Sequence, residues 1–262
     1  MNPTIETIMN RTSLRKYEEK PIDPQHRDLI LQSAWRAPTA GNMMLYSVIE
    51  VTDQAIKDTL SETCDHQPFI KKAPMVHIFL ADVTRWYDYY EACGVAEWQA
   101  EQGKDYEGPD EADFLLAVND AIIAAQNTVI AAESLGIGSC YIGDIMEQYE
   151  THREMFNLPE RAFPVCMLCY GYYPGGKRHT PMWRLDDKYA FHQNQYHRVP
   201  PDELSGMFER SRFNFPADNR YGAGNFGQFH YAMKMGSPFK QEMTRSIRAA
   251  MKHWRGTQRH GT

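Results

Sequence analysis

Residues 11–17, RTSLRKY, set two arginines (Arg11, Arg15) around two hydroxyls (Thr12, Ser13), with Lys16 and Tyr17 behind them. Guanidinium forks and hydroxyl donors match phosphate oxygens, so the heptad reads either as an anion site or as an ordinary salt-bridged surface patch. An organic phosphate would also need donors for its ring and an apolar shelter. APTAGNMMLY (37–46) offers a helix end, the Thr39 hydroxyl, the Asn42 amide and a glycine. Gln67 adds a second amide, and YIGD (141–144) adds backbone amides beside a glycine. These stretches lie far apart in the chain, and composition alone does not assemble them.

Other chemistries find little support. The glycines of GIGSCYIG (136–143) are wrongly spaced for a dinucleotide loop and follow a helix where that motif requires a strand. Cys166 and Cys169 in CMLC are three apart on a predicted strand, so their thiols should point to opposite faces and lie in the core. No second cysteine pair completes a zinc site. The sequence holds neither H-E-x-x-H nor G-x-S-x-G, which leaves metallohydrolase and serine mechanisms without residues. An enzyme of this composition would carry its reactive group on a cofactor, and no side chain is assigned a catalytic role.

The elements that must position these residues are readable in part. Asp23 and Pro24 begin a helix that Pro38 ends, after a short helix over 4–10. LYSVIEV (45–51), MVHIFLA (75–81) and FPVCMLCYGYY (163–173) read as strands, with SCYIG (139–143) a short fourth or an extended turn. Asp53 caps a helix to about Thr63, residues 84–100 read as one aromatic-faced helix, and a long apolar helix over 114–135 stops at Gly136. Asp144 is expected to cap a further helix. Helices and strands intermix without repeating strand–helix units, which favours α+β. Beyond Pro174 the chain is rich in Pro, Gly, Asn, Arg and aromatics, with helices expected at about 202–211 and 239–254. The second carries a narrow apolar stripe, suited to docking on its own fold or a partner, or less readily to a membrane surface.

The chain has 262 residues and a net charge of −6, which argues against a general nucleic-acid binder. The charge is uneven: Glu91–Asp113 holds eight carboxylates against one lysine, and the acidic stretch that follows the helix at 84–100 reads as a solvated loop or mobile cover. The helix at 114–135 is interrupted by Asn119, Asp120, Gln126, Asn127 and Glu133, so it is expected in the core and not in a membrane. MNPTIETIMNR lacks a secretory pattern, and five irregularly spaced cysteines suggest no disulfide framework. A cytoplasmic protein is expected.

RTSLRKY, APTAGN, PMVHIFLADVTRW, DAIIAAQNTVIAAESLGIGSCYIGDI and VCMLCYGYYP, in this order, resemble the FMN-dependent nitroreductase family, and specifically its larger flavin reductase and oxygen-insensitive NADPH nitroreductase subgroup. The likeness covers most of residues 1–185 and continues in WRLDDKYAFHQNQY (183–196). It implies an α+β fold, a mostly antiparallel central sheet flanked by helices, in an intertwined homodimer with FMN at the subunit boundary. It divides the chain into an FMN-binding core, 1–185, with the acidic insertion at about 91–113, and an arm, 186–262, packed on the core or the partner. By position, Arg11, Thr12, Ser13 and Arg15 would hold the FMN phosphate and ribityl chain, and Arg184 would close the phosphate site. Thr39 would reach the flavin from the other subunit, with Asn42 nearby. Gln67 would bond the ring edge, and Tyr141, Ile142, Gly143 and Asp144 would line the ring near N5. The implied activity is ping-pong hydride transfer through flavin N5, from NADPH or NADH to a small electron-poor acceptor such as a nitroaromatic, quinone or flavin. Specialisation for enone reduction or reductive dehalogenation, or a flavin-binding role without turnover, are the alternatives. Two departures stand out: Met182 occupies a position where relatives often carry a base, leaving Lys177 or Arg178 as substitutes, and Asp144 replaces a frequent glycine.

Overall fold

Continuous apolar runs bounded by turn residues make strands that are covered on both faces, and the two longest runs here become the centre of a sheet. In the computed structural model, which describes residues 2–209 and 215–255, β1 (Tyr46–Glu50), β2 (Met75–Asp82), β3 (Ile137–Ile142) and β4 (Ala162–Tyr172) form one antiparallel sheet in the order β1-β2-β4-β3. Every residue of β2 is buried, as is β4 up to its last residue. Cys166 packs on one face with Phe79 and Tyr170, whereas Cys169 packs on the other with Val76 and Ile78, and both thiols are free. The divergence expected from strand alternation is observed.

Contacts divide the described residues into two units, 2–180 with 242–255, and 181–241 less the undescribed 210–214. In the first, α1 (Pro3–Asn10), α2 (Pro24–Trp35) and α3 (Gln54–Thr63) each start on a side-chain cap, from Asn2, Asp23 and Asp53. The helix expected over 84–100 is two, α4 (Thr84–Ala92) and α5 (Val95–Glu101), because Gly94 takes a left-handed conformation (φ +66°) between them. The acidic stretch is not wholly loop. Its end starts α6 (Glu111–Ser134), where Asp110 accepts from the Ala112 and Asp113 amides and the Asp113 carboxylate accepts from the Asp110 amide. Carboxylates there also suit the positive end of the helix dipole.

Helix α6 is the one helix among the described residues long and apolar enough to cross a membrane. Its alanine face, including Ala117, Ala121, Ala124 and Ala125, is buried in the sheet's core, while Leu115, Leu116, Ile122 and Ile123 are exposed. Asp144 does not cap a helix. It opens a single 3-10 turn, and α7 (Tyr149–Met155) starts after Gln148, which is left-handed. Within the first unit, residues 242–254 of α10 (Pro238–Trp254) dock on the core: Trp254 is buried, its ring edge-on to Phe114 at 5.0 Å and its Nε1 donating to the Asp110 carbonyl at 3.1 Å.

The second unit contains α8 (Leu204–Met207), α9 (Phe226–His230) and a π-helical turn, Tyr231–Met235. The expected helix at 202–211 is one short turn here, and its end lies outside the described residues. None of this unit's described residues joins the buried apolar core. Its local order rests on ring contacts such as Tyr221 on Phe229 and on Asn219, whose side chain bonds the 216–223 loop to itself.

Candidate functional site

The heptad leaves α1 in extended conformation and is laid against the edge of the sheet. Ser13 bridges Ser139 of β3 in parallel, the Leu14 amide donates to the Ser139 carbonyl at 2.9 Å, and the Glu18 amide donates to the Tyr172 carbonyl at 3.0 Å. Extended backbone alternates its side chains. Thr12 and Leu14 are buried, while Arg11, Ser13 and Arg15 are partly or fully exposed.

Those three converge on one point. Burial raises the pKa of the Cys140 thiol, and Arg15, Arg11 and a hydrogen bond from Ser13 each oppose that rise. Arg11, Ser13 and Arg15 therefore all lie close to the Cys140 thiol. Among the described residues, neither Arg11 nor Arg15 is in a salt bridge with a carboxylate; Arg15 lies over the Phe69 ring at 5.9 Å. Two guanidiniums near one strand edge, neither paired with a carboxylate among the described residues, have the chemistry to receive an anion.

The same thiol feels Asp144 at the end of β3. Asp144 Oδ2 accepts from Gln67 Nε2 at 2.8 Å, so residues 77 positions apart in sequence meet beside the arginine cluster. Ile142 is buried, Gly143 is exposed, and Tyr141 turns to the other face, its hydroxyl donating to Gln126 of α6 at 3.3 Å. Arg11, Ser13, Arg15, Gln67 and Asp144 are thus gathered by one β3 edge.

Thr39 and Asn42 are not with them. The Thr39 hydroxyl donates to the buried carboxylate of Asp120 on α6 and accepts from the Met44 amide. Asn42 is exposed, left-handed (φ +58°), and lines a cavity of about 720 Å³ walled by Trp35, Met43, Trp86 and Tyr89, to which no heptad residue contributes. Arg184 lies in the second unit, exposed, donating to the carbonyls of Met182 and Trp183.

Sequence reading overlooked three groups. Glu133, fully buried near the end of α6, accepts from the Tyr173 hydroxyl at 2.7 Å and faces Arg178 Nε at 3.5 Å, while Arg178 Nη2 donates to its carbonyl at 2.7 Å. Burial raises the Glu133 pKa, against Tyr173, Arg178 and Arg11. Arg178 pairs with this carboxylate, and the charge of Arg11 also acts on it. Glu147, nearly buried, is pushed up to about 8 by burial and by the neighbouring Asp144. Cys140 is the third. The only sequence signal for Glu133 was a carboxylate interrupting an apolar helix, as Asp120 does.

A profile of the Nitroreductase family matches residues 8–172. The chain is 33% identical over 196 residues to an FMN reductase (NADPH) of Bacillus subtilis, covering 75% of each protein. It is 31% identical over 204 residues to an oxygen-insensitive NADPH nitroreductase of Salmonella typhimurium, covering 78% of each. Among solved structures, B. megaterium NfrA2 superposes with a TM-score of 0.77 at 28% identity, over 97% of this chain and 98% of that one. The NADPH:FMN oxidoreductase of Vibrio harveyi complexed with NAD+ superposes with a TM-score of 0.78, over 95% and 98%; at 22% identity that likeness speaks for the fold alone.

Proposed function

The chain belongs to the nitroreductase family, and on that premise we propose that it is an FMN-dependent NAD(P)H oxidoreductase acting on small electron-poor acceptors. The observation that carries this reading is the pair of arginines, Arg11 and Arg15, in no salt bridge among the described residues and gathered with Ser13 near the β3 edge. A phosphate suits this place, because the cluster offers charged donors that no carboxylate salt-bridges among the described residues.

In this reading Arg11, Thr12, Ser13 and Arg15 hold the FMN phosphate and ribityl chain. Gln67 bonds the ring edge, and the 141–144 segment lines the ring. Bound in this position, FMN would supply the redox chemistry between NAD(P)H and a nitroaromatic, quinone or free flavin. The chain's own residues grip, orient and shelter the ring, and none is assigned as acid or base.

The reading includes a homodimer in which Thr39 and Asn42 approach the partner's flavin. Exposed Ile5, Ile8 and Met9 on α1 and Leu115, Leu116, Ile122 and Ile123 on α6 supply apolar surface for such an interface. A cytoplasmic setting suits the five free cysteines. The core of 1–185 with the arm of 186–262 is kept as the functional division.

The test is an absorbance spectrum of the purified protein, repeated anaerobically after NADPH and after NADH, then turnover with nitro, quinone, enone and halo-aromatic acceptors. Bound flavin bleached by a pyridine nucleotide and reoxidised by a nitroaromatic or quinone is expected. Bound flavin that neither nucleotide bleaches would mean a carrier, and a colourless protein that takes up no FMN would end the proposal.

A further inference from the structure

Gln67 follows two left-handed residues, Asp65 (φ +56°) and His66 (φ +50°), and its carbonyl is held by the Ser61 hydroxyl at 3.1 Å. Its side-chain nitrogen has two neighbours, the Cys64 carbonyl at 2.9 Å and Asp144 Oδ2 at 2.8 Å. Both are acceptors, so chemistry fixes the amide: a flipped side chain would set Oε1 against two oxygens. Both N–H groups are thereby used. Oε1 accepts no hydrogen bond among the described residues.

Asp144 is itself held. The Glu147 amide donates to the Asp144 carbonyl at 3.0 Å, closing the turn that fixes its backbone. The Glu147 side chain is 6% exposed, lies against the Asp144 carboxylate, and its Oε1 has no partner. Burial and the neighbouring Asp144 push the Glu147 pKa up to about 8, so Glu147 holds its proton at neutral pH beside the Asp144 side chain.

We propose that Asp144 is a positioning residue for Gln67, converting that glutamine into an acceptor-only contact so that the site selects a ring edge bearing an N–H. The inference rests on the flavin reading above. An oxidised isoalloxazine carries one ring N–H, at N3, flanked by two carbonyls. A freely turning glutamine bonds either kind of group, whereas the locked one is matched to N3–H alone. Asp144 therefore sets how the ring is seated by acting through Gln67.

The test uses the full-length chain loaded with 15N-enriched FMN. The N3–H resonance should be shifted downfield and protected from solvent exchange in the wild type. Asp144→Leu, of similar shape but accepting nothing, should lose both features and weaken FMN binding roughly three- to tenfold, the range of one hydrogen bond. Asp144→Asn, whose carbonyl still accepts from Gln67, should restore them. An N3–H signal equally shifted and protected in the wild type and Asp144→Leu overturns the proposal. A wild-type chain that takes up no FMN overturns the reading beneath it, so the two failures are distinguishable. The wild-type Gln67 amide gives the same test without a variant: both its N–H protons should exchange slowly with and without FMN. One rapidly exchanging proton in the FMN-free chain would defeat the proposal.

Discussion

Gly138 and Gly171 face each other across the β3–β4 ladder, and the heptad rests on the bare patch they leave. A β-carbon on Gly138 would meet Leu14 Cδ2 at 2.7 Å, and one on Gly171 would meet Tyr17 Cδ1 at 2.4 Å. The arginines reach the sheet edge because two facing residues have no side chains. Gly171→Ala should push Tyr17 outward, costing about 1–3 kcal/mol of overpacking and lowering Tm by roughly 2–12 °C. Flavin content should fall with it. A variant that melts and binds FMN like the wild type would show that the heptad does not need this clearance.

Arg15 is exposed and contributes little visible packing beyond the Phe69 ring. Its replacement by alanine should therefore spare the fold and release the cofactor. A charge-assisted hydrogen bond to phosphate is worth about 1.5–3 kcal/mol, or roughly 10- to 150-fold in affinity. The flavin-to-protein absorbance ratio of Arg15→Ala, measured beside its melting curve without FMN, decides the matter. Undiminished flavin would refute the phosphate assignment.

The sequence displayed what depends on short-range pattern. β2 and β4 were legible because a strand covered on both faces is an unbroken apolar run, and Cys166 and Cys169 diverged because strand alternation leaves no choice. The heptad, Gln67 and the 141–144 turn were visible as donor-rich stretches and through family resemblance. What escaped was meaning conferred by a distant neighbour. Glu133 and Glu147 are ordinary carboxylates until burial places one under Tyr173 and Arg178 and the other behind Asp144. The break at Gly94 was missed because apolar and aromatic residues continue at helical spacing on both sides of it. Asp144 looked like a helix cap, but its carboxylate is engaged by a glutamine 77 positions away.

Glu133 illustrates the cost of such a placement. Its carboxylate is fully buried, and the Tyr173 hydroxyl at 2.7 Å is its one hydrogen-bond donor among the described residues. Tyr173→Phe removes that donor and leaves the buried oxygen unsatisfied, which costs about 1–3 kcal/mol. Urea unfolding should show a lower midpoint at unchanged slope. A midpoint equal to that of the wild type would mean that the Tyr173 bond contributes nothing net.

Glu147 should make stability depend on pH in a sense opposite to that of a salt-bridged carboxylate. Burial, then Asp144, with Asp65 and Glu242 adding to it, pushes its folded pKa up to about 8 from an ordinary 4.5. Between those values the folded chain holds a proton that the unfolded chain has lost. This group's contribution therefore falls as pH rises through the window, by at most about 1.4 kcal/mol per pH unit, and is level on either side. Glu147→Gln keeps the shape and cannot ionise, so the variant should gain on the wild type steadily from pH 5 to pH 8 and no further above it. Paired urea titrations across that range read the difference directly. A wild-type-minus-variant gap that stays constant with pH would mean that Glu147 titrates as an ordinary carboxylate.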